Sequence, residues 1–251
     1  MERTRYDSIG HGYARLRRED PLIRSRIVAS LGGAQTVVNV GAGAGSYEPF
    51  DRHVIPIEPS AVMVAQRSPA LPQAIRAVAD QLPLDDGTVD AAMAILSLHH
   101  WDGAQERGVR ELRRVARGPV VIVTYDPERS GAMWLMAEYL PEVAALDREI
   151  FPAPSSIAEW LGGNVTIELL PIRRDTPDWM LGSFWAHPER VLNAEARAVT
   201  SGFARMPGAV VERVVARLSN DLADGSWDRK YGELRALGEY DAGLRLIVGI
   251  N

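Results

Sequence analysis

The sequence contains no cysteine among its 251 residues. Disulfide bonds and thiolate metal sites are therefore excluded. The chain also has no excess of positive charge, since 28 Lys and Arg stand against 33 Asp and Glu and give a formal net charge of −5. No basic block of the kind that follows a phosphate backbone is present. We therefore expect no nucleic-acid partner.

Long apolar runs and several common catalytic motifs are missing as well. Met1 to Arg5 are followed by no apolar segment, so we expect neither a signal peptide nor a membrane span, and a cytoplasmic location follows by default. The patterns G-x-S-x-G, G-x-x-x-x-G-K-[ST] and H-E-x-x-H do not occur, nor do clustered metal ligands. No metal is therefore expected. With 46% hydrophobic residues, the chain can bury a full core as one domain, or as a core with an added lobe.

Short apolar runs alternate with longer amphipathic stretches. This alternation predicts a parallel α/β sheet, with helices over residues 21–31 and 105–114. The predicted buried strands are residues 37–40, 54–57, 74–78, 91–95 and 120–123.

A glycine-rich turn follows the first predicted strand and reads G-A-G-A-G from Gly41. Glycine lets the backbone approach a ligand closely, because it has no Cβ and tolerates positive φ. Glu58 ends the second run, where a carboxylate can accept both ribose hydroxyls of an adenosine, and Asp80 follows the third. Ser46 stands where a dinucleotide loop has its third glycine, which argues against a pyrophosphate. The sequence therefore predicts an adenosine-containing ligand other than a dinucleotide.

Four features in order resemble the class I S-adenosylmethionine-dependent methyltransferases, more narrowly their small-molecule, type 11 branch. They are the glycine loop, the acid after the second run, the stretch D-x-L-P-L-D-D-G-T-V-D, and the apolar run ending in L-H-H. The resemblance covers roughly the first half of the chain. It implies a Rossmann-like doubly wound sheet, S-adenosylmethionine as cofactor, S-adenosylhomocysteine as product, and methyl transfer to O, N or C of a small molecule.

The resemblance also implies a role for individual residues. Glu58 would hold the ribose, Asp80 the adenine amine, Met63 and Leu82 the adenine faces, and Ser97 would lie near the methionine moiety. An amino-terminal arm would close over that moiety with an aromatic residue and an arginine. The predicted cofactor-binding residues are thus Tyr13, Arg17, Gly41, Ala42, Gly43, Glu58, Pro59, Met63, Asp80, Gln81, Leu82 and Ser97.

Asn39 departs from the family pattern, which usually has an acid at this position. The neutral amide removes the charge that would contact the methionyl amino group. For catalysis, His99 and His100 follow the fourth predicted strand, and histidine is suited to proton transfer near pH 7. The alternative for this pair is one packed ring and one ring bonded to the backbone. Asp175, Asp178 and His187 are further candidates that would orient a substrate or cap helices.

The second half departs from a bare methyltransferase core. Residues 165–172 and 243–250 are predicted strands, and the helical periodicity between them is broken by Pro and Gly. We predict a core of residues 1–172 with 241–251, and a helical insertion of residues 173–240, called here the lid. Large apolar side chains in and beside the lid would line a pocket for an apolar substrate, or form core. They are Met133, Trp134, Met136, Tyr139, Leu140, Trp160, Trp179, Phe184 and Trp185.

Two other functions remain open at this stage. One is an enzyme that binds S-adenosylmethionine without transferring methyl, such as a cyclase or isomerase. The other is a nicotinamide-dependent oxidoreductase, which the missing third glycine disfavours. For a methyltransferase we expect a small-molecule partner, no membrane partner, and a possible homo-oligomer.

Overall fold

The computed structural model describes residues 17–250. Their strands are β1 Thr36–Val40, β2 His53–Ile57, β3 Ala91–Ile95, β4 Val120–Tyr125, β5 Asn164–Leu169, β6 Ile172–Arg173, β7 Glu239–Tyr240 and β8 Leu244–Ile250. Within this part of the chain, six strands form the central sheet in the order β2-β1-β3-β4-β8-β5. The first four run parallel, whereas β8 is antiparallel to β4 and β5. The predicted α/β class is therefore confirmed.

Helices precede, separate and follow these strands. The α-helices are α1 Pro21–Ser30, α2 Ala61–Ala65, α3 Gln105–Val115, α4 Pro127–Gly131, α5 Pro141–Ile150, α6 Pro154–Leu161, α7 Glu189–Leu192, α8 Ala194–Ala198, α9 Ser201–Ala204, α10 Gly208–Ala223 and α11 Ser226–Tyr231. Three-residue to six-residue 3-10 turns lie at Leu98–His100, Leu181–Ala186 and Gly232–Ala236, and a π-helix at Leu135–Tyr139. None of the helices in the described range is long and apolar enough to cross a membrane.

The helix predicted over residues 21–31 is α1, and local sequence signals mark both of its ends. Asp20 caps α1, because its Oδ1 accepts the backbone N–H of Leu22 at 2.8 Å. Pro21 follows as the first helical residue, where its missing N–H costs nothing. Gly32, at φ +56°, carries the chain away from the end of the helix. The second predicted helix, over residues 105–114, is α3.

The prediction of a strand over residues 74–78 is wrong beyond a single bridge between Ile57 and Ile75. Ile75 donates to Pro56 O at 2.9 Å and accepts from Glu58 N at 3.0 Å. In a parallel ladder the next bond would join Ala77 N to Glu58 O, and this bond does not form in the described part of the chain, because β2 ends at Ile57. The ladder stops after the one bridge, and Ile75 and Val78 are exposed.

The strand predicted over residues 165–172 is two strands. It breaks at Pro171, which cannot donate to the ladder. Residues before the proline pair with β8 in the central sheet, whereas Ile172 and Arg173 pair with β7 in a separate two-stranded sheet. In the sequence, β6 precedes the lid helices and β7 follows them.

The large apolar side chains of the second half are mostly core. Met133, Trp134, Phe184 and Trp185 are at most 3% exposed and belong to one cluster between the sheet and the lid helices. Trp134 Nε1 also donates to Trp185 O at 2.8 Å, which satisfies a polar atom inside this core. Of the nine side chains named from the sequence, Met136 lines a cavity. The core interpretation therefore holds for most of them.

Candidate functional site

A cavity of about 760 Å³ opens at the carboxyl ends of β1, β2 and β3. This is where open parallel sheets bind their ligands. The predicted residues that line it are Arg17, Gly41, Ala42, Gly43, Glu58, Pro59, Met63, Asp80, Ser97 and His100. Its volume is in the range of pockets that bury a drug-sized ligand. The fold thus brings predicted residues from five segments of the sequence to one cavity.

The glycine turn forms one wall, and its geometry requires glycine. Gly41 has φ +73°, and a Cβ there would lie 2.5 Å from Ser97 Cβ. Gly43 has φ +52°, and its Cβ would lie 3.3 Å from Met63 Cε. The backbone N–H groups of Gly41 and Ala42 both donate to Ile57 O, at 2.9 and 3.0 Å. A fixed turn without side chains is the cradle that a nucleoside ligand needs.

Glu58 is 6% exposed at the end of β2. One carboxylate oxygen accepts from Gly43 N and the other from Ser60 N, each at 2.8 Å. Burial raises the pKa of Glu58, while these two backbone hydrogen bonds and Arg67 oppose the rise. A carboxylate has about four acceptor positions, so the two backbone bonds leave positions for ligand hydroxyls. Glu58 therefore combines a structural hydrogen-bonding role with the capacity to bind ribose.

Asp80 also lines the cavity and is paired with Arg107 of α3. Asp80 Oδ2 accepts from Arg107 Nε at 3.1 Å and from Nη2 at 2.8 Å. Both donors use one carboxylate oxygen, which fixes the side chain and leaves Oδ1 outside that pair. Trp101 also lines this part of the cavity, because Gly108 of α3 leaves room for its ring.

A buried polar cluster supports the glycine turn from beneath. Asn39 Nδ2 donates to Glu48 Oε1 at 3.0 Å. Arg67 pairs with Glu48 through two bonds, of 3.1 and 2.8 Å, and also donates to Gly43 O at 3.3 Å. The side chains of Arg67 and Glu48 are only 4% and 1% exposed. The acid that the family usually has at position 39 is thus absent, and the buried acid Glu48 lies beside Asn39 instead.

Arg17 connects the amino-terminal side of the cavity to the lid. It forms an isolated antiparallel bridge with Asp178, and its Nε donates to Asp178 Oδ1 at 2.5 Å. Tyr47 Oη donates to Asp178 Oδ2 at 3.2 Å and accepts from Asp20 N at 3.0 Å. Burial and the Asp178 charge raise the pKa of Tyr47 far above its usual range, so this phenol stays protonated. Asp178, one of the further candidates, therefore lies in the cavity wall.

Backbone strain is concentrated around this cavity. Within residues 17–250, the non-glycine residues at positive φ are Tyr47, Leu96 and Asp102, at +65°, +52° and +41°. All three line the cavity. Side chains held in sparsely populated backbone conformations cluster at functional sites.

His99 and His100 follow β3 but occupy different environments. His99 is 7% exposed, stacks on Phe151 with ring centroids 4.3 Å apart, and faces a smaller cavity rather than the large one. Burial, His100, Arg205 and Arg17 together hold its pKa well below the usual range. His100 lines the large cavity, and Arg205 Nη2 lies 3.1 Å from its Nδ1. The two rings therefore face two adjoining spaces.

Three predicted residues do not line the large cavity, and Tyr13 lies outside the described residues. Leu82 packs in the core beneath α3, and its N–H donates to Glu111 at 3.0 Å. Gln81 is exposed, and His99 faces the smaller cavity. Among the further candidates, Asp175 pairs with Arg173 and His187 lies 2.7 Å from Arg174 O.

Sequence reasoning missed Tyr47, Arg67, Trp101 and Arg107. Tyr47, Arg67 and Arg107 each reach the site through a contact with a residue distant in sequence, so no local pattern signals them. Gly108 inside an amphipathic helix was the one readable sign, because an interior helical glycine needs a packing reason. That reason is Trp101.

The fold and the cavity are those of an α/β protein with a ligand-sized cavity at a glycine turn. Comparison with known proteins narrows this class. A family model described as a methyltransferase domain matches residues 38–123. A protein from Anabaena variabilis ATCC 29413, assigned as a methyltransferase from an antibiotic biosynthesis pathway, is 30% identical. Its structure aligns over 94% of this chain and 99% of its own, with a TM-score of 0.86.

Two more distant structures share the fold. Phosphoethanolamine N-methyltransferase 2 of Haemonchus contortus, in complex with phosphomonomethylethanolamine and S-adenosylhomocysteine, is 14% identical, with a TM-score of 0.54 over 97% of this chain and 55% of its own. The [4+2]-cyclase SpnF is 17% identical, with a TM-score of 0.53 over 91% and 79%. No curated protein matches the chain significantly.

The chain therefore belongs to the class I S-adenosylmethionine-dependent methyltransferase family. Its cofactor is S-adenosylmethionine, and its reaction is methyl transfer.

Proposed function

We propose that this enzyme methylates O, N or C of a small, largely apolar molecule. The observation that carries the proposal is the smaller cavity, of about 70 Å³, whose walls include Met136, Phe151 and Met180. Arg17 and Leu96 line both cavities, so an acceptor there would lie next to the cofactor. The antibiotic-pathway origin of the Anabaena relative supports a small-molecule acceptor.

The proposed cofactor contacts follow the residues predicted from the sequence. Glu58 holds the ribose, Asp80 the adenine amine, and the turn from Gly41 to Gly43 leaves room for the ligand. The remaining proposed contacts are Tyr13, Arg17, Ala42, Pro59, Met63 and Ser97, whereas Gln81 and Leu82 do not line the cavity and are not proposed. When bound, S-adenosylmethionine supplies an electrophilic methyl group on a sulfonium. The protein positions the acceptor in line with it and excludes water.

The lid, residues 173–240, is proposed to close the acceptor site over a core of residues 1–172 with 241–251. It contributes Met180 to Gly182 and Val199 to Gly202 to the smaller cavity. The Arg17 to Asp178 pair joins the two parts beside the cofactor cavity. A substrate site shared by core and lid is the arrangement that this placement supports.

His99 and His100 are proposed to act beside the reacting groups. His99 stays neutral at pH 7 because its pKa is well lowered, so its ring can exchange a hydrogen bond with the acceptor without adding charge. His100 lies on the cofactor side of the same turn. We further propose a cytoplasmic enzyme that forms a homo-oligomer and has no membrane partner. The net charge of −5 supports the absence of a nucleic-acid partner.

The test is release of S-adenosylhomocysteine in the presence of a panel of small apolar alcohols, phenols, amines and carbon acids. The expected result is product formation with one class, together with the mass gain of one methyl group on the acceptor. A Glu58→Ala variant should lose this activity, whereas Glu106→Gln, at an exposed position of α3, should retain it. Cofactor binding with no release across the panel, and conversion of a probe without mass gain, would instead support a non-methylating enzyme.

A further inference from the structure

Polar side chains line the smaller cavity, and the packing of the fold does not explain why they are buried there. It lies among β4, α5 and the lid, and its lining includes His99, Tyr125, Asp147 and Phe151. The Tyr125 and Phe151 rings meet edge to face at 6.0 Å, and His99 stacks on Phe151. At about 70 Å³ the cavity is smaller than the roughly 150 Å³ that accommodates a benzene ring. It is therefore suited to one functional group of a larger molecule.

Two buried polar atoms at this cavity are incompletely hydrogen-bonded. Tyr125 Oη and His99 Nδ1 are both inaccessible to solvent. His99 Nδ1 has no hydrogen-bond partner in the described part of the chain, and the phenol of Tyr125 has only the Gly182 backbone beside it, with no acceptor for its own proton. Buried polar atoms are paired in the great majority of cases, and the exceptions call for an explanation. Glycine at position 182 of the lid lets the phenol pack against the backbone, because a Cβ there would lie 2.5 Å from Tyr125 Oη.

Asp147 of α5 is the third polar group at the cavity. Across residues 17–250 its carboxylate makes no hydrogen bond and no ion pair within 4 Å. Burial raises the pKa of Asp147 to about 7, and the charge of Arg205 in the lid partly opposes this rise. The other titratable or charged groups that line the cavity are Arg17, His99 and Tyr125. A carboxylate that forms no ion pair, beside a phenol whose proton has no acceptor, indicates a missing ligand.

We propose that this cavity receives a hydroxyl group of the methyl acceptor, which Tyr125 Oη binds as donor and from which Asp147 removes the proton. The proposal rests on the proposed function and narrows it to O-methylation. As the C–O bond forms, the C–S bond breaks and its electron pair stays on sulfur. The proton passes to the Asp147 carboxylate and from there to water after product release. His99 remains a neutral hydrogen-bonding neighbour.

A hydroxyl fits these groups better than an amine does. The hydroxyl oxygen has lone pairs for the Tyr125 donor and a proton for the Asp147 acceptor. A neutral amine attacks through its own lone pair and needs no base before attack, whereas a hydroxyl gains nucleophilicity when a base removes its proton. A carboxylate without an ion pair at the site therefore favours a hydroxyl.

The experiment compares the binding of phenol and of anisole to the protein saturated with S-adenosylhomocysteine, between pH 6 and pH 8. Phenol keeps its proton over this range, whereas Asp147 loses its own. We expect phenol affinity to rise about tenfold, because the ionised fraction of a group with a pKa near 7 rises by about that factor. Anisole, which lacks the donor, should bind more weakly and without pH dependence.

Variants separate the roles of the two residues. Asp147→Asn should abolish the pH dependence, and Tyr125→Phe should weaken phenol binding at every pH while leaving the pH dependence in place. Glu149→Gln, at an exposed position of the same helix, should behave as the wild type. Affinity for S-adenosylhomocysteine, measured in parallel, should be unchanged in all three.

Two results would overturn the proposal, provided that S-adenosylhomocysteine still binds. One is that phenol binds no better than anisole. The other is that the affinity for phenol does not change with pH, or that its pH dependence is unchanged in Asp147→Asn. Failure of S-adenosylhomocysteine to bind would instead refute the proposed function.

Discussion

Asn39 occupies the position where the family usually has an acid, and the buried charge lies nearby at Glu48. The Asn39 amide donates to Glu48 at 3.0 Å, and Arg67 is the cation that pairs with this carboxylate. With a neutral residue at position 39, the cluster beneath the glycine turn contains one acid, Glu48, and one base, Arg67. Restoring the family residue would add a second carboxylate to a buried pair that is already balanced.

We predict that Asn39→Asp weakens rather than improves the protein. Repulsion between the two carboxylates should lower the free energy of unfolding by about 1–3 kcal/mol and reduce cofactor affinity, because the cluster supports Gly43. Denaturant unfolding and calorimetric titration measure the two effects. Adding Glu48→Gln to Asn39→Asp should recover most of the loss, since it restores one acid and one amide. Equal or tighter cofactor binding by Asn39→Asp alone would show that Glu48 does not replace the missing acid.

Asp147 gives a prediction about stability and pH. Its pKa is about 7 in the folded protein, whereas an Asp in an unfolded chain titrates near 4. Between these values the folded state binds more protons, so this group makes the protein less stable as pH rises from about 4 to 7. Asp147→Asn removes the buried charge. At pH 8 it should raise Tm by roughly 2–4 °C, the change that 1 kcal/mol produces in a domain of this size.

The same variant should give no such gain near pH 4, where Asp147 is protonated in the folded state. Thermal melts at both pH values, with Glu149→Gln as the exposed control, measure the difference. A gain that is equal at both pH values would mean that the carboxylate is not desolvated.

At the scale of elements, the turn after β1 depends on glycine for two separate reasons. Gly41 combines a positive φ with a close approach to Ser97, whose Oγ donates to Val40 O at 3.0 Å. An added methyl group would therefore push on the end of β3 as well as strain the turn. Gly33, at the end of α1, has open space around it and no positive φ.

We predict that Gly41→Ala costs about 1–3 kcal/mol of stability and at least about tenfold in cofactor affinity. Gly33→Ala should change stability by no more than about 0.5 kcal/mol. Unfolding curves and cofactor titrations of the two variants provide the comparison. Wild-type affinity in Gly41→Ala would mean that the turn does not need its close approach to Ser97.

The elements that the sequence predicted well are those whose signals are local. Asp20 and Pro21 mark the start of α1, and the apolar runs mark β1, β2, β3 and β4. The prediction of a strand over residues 74–78 was wrong because β2 ends at Ile57 and leaves it a single bridge, and pairing partners are not visible in a single apolar run. The break at Pro171 was visible, but the small sheet that follows it depends on pairing with β7.

At the scale of the whole molecule, the site is assembled by contacts that span the chain. The glycine turn, Glu58 and Asp80 were predictable because the family series stands in one stretch of sequence. The pair of Arg17 with Asp178 and the position of Asp147 in the smaller cavity were not. They depend on how the lid packs on the sheet, which neither periodicity nor motif spacing encodes.

The central claim is that the large cavity binds S-adenosylmethionine through Glu58 at the end of β2. Calorimetric titration with S-adenosylmethionine, S-adenosylhomocysteine and NADH tests it most directly, with Glu58→Ala beside the wild type and Glu106→Gln as a surface control. We predict micromolar binding of both S-adenosyl ligands, unchanged in the control, lost in Glu58→Ala, and no binding of NADH. Full affinity in Glu58→Ala, or binding of NADH alone, would contradict the account.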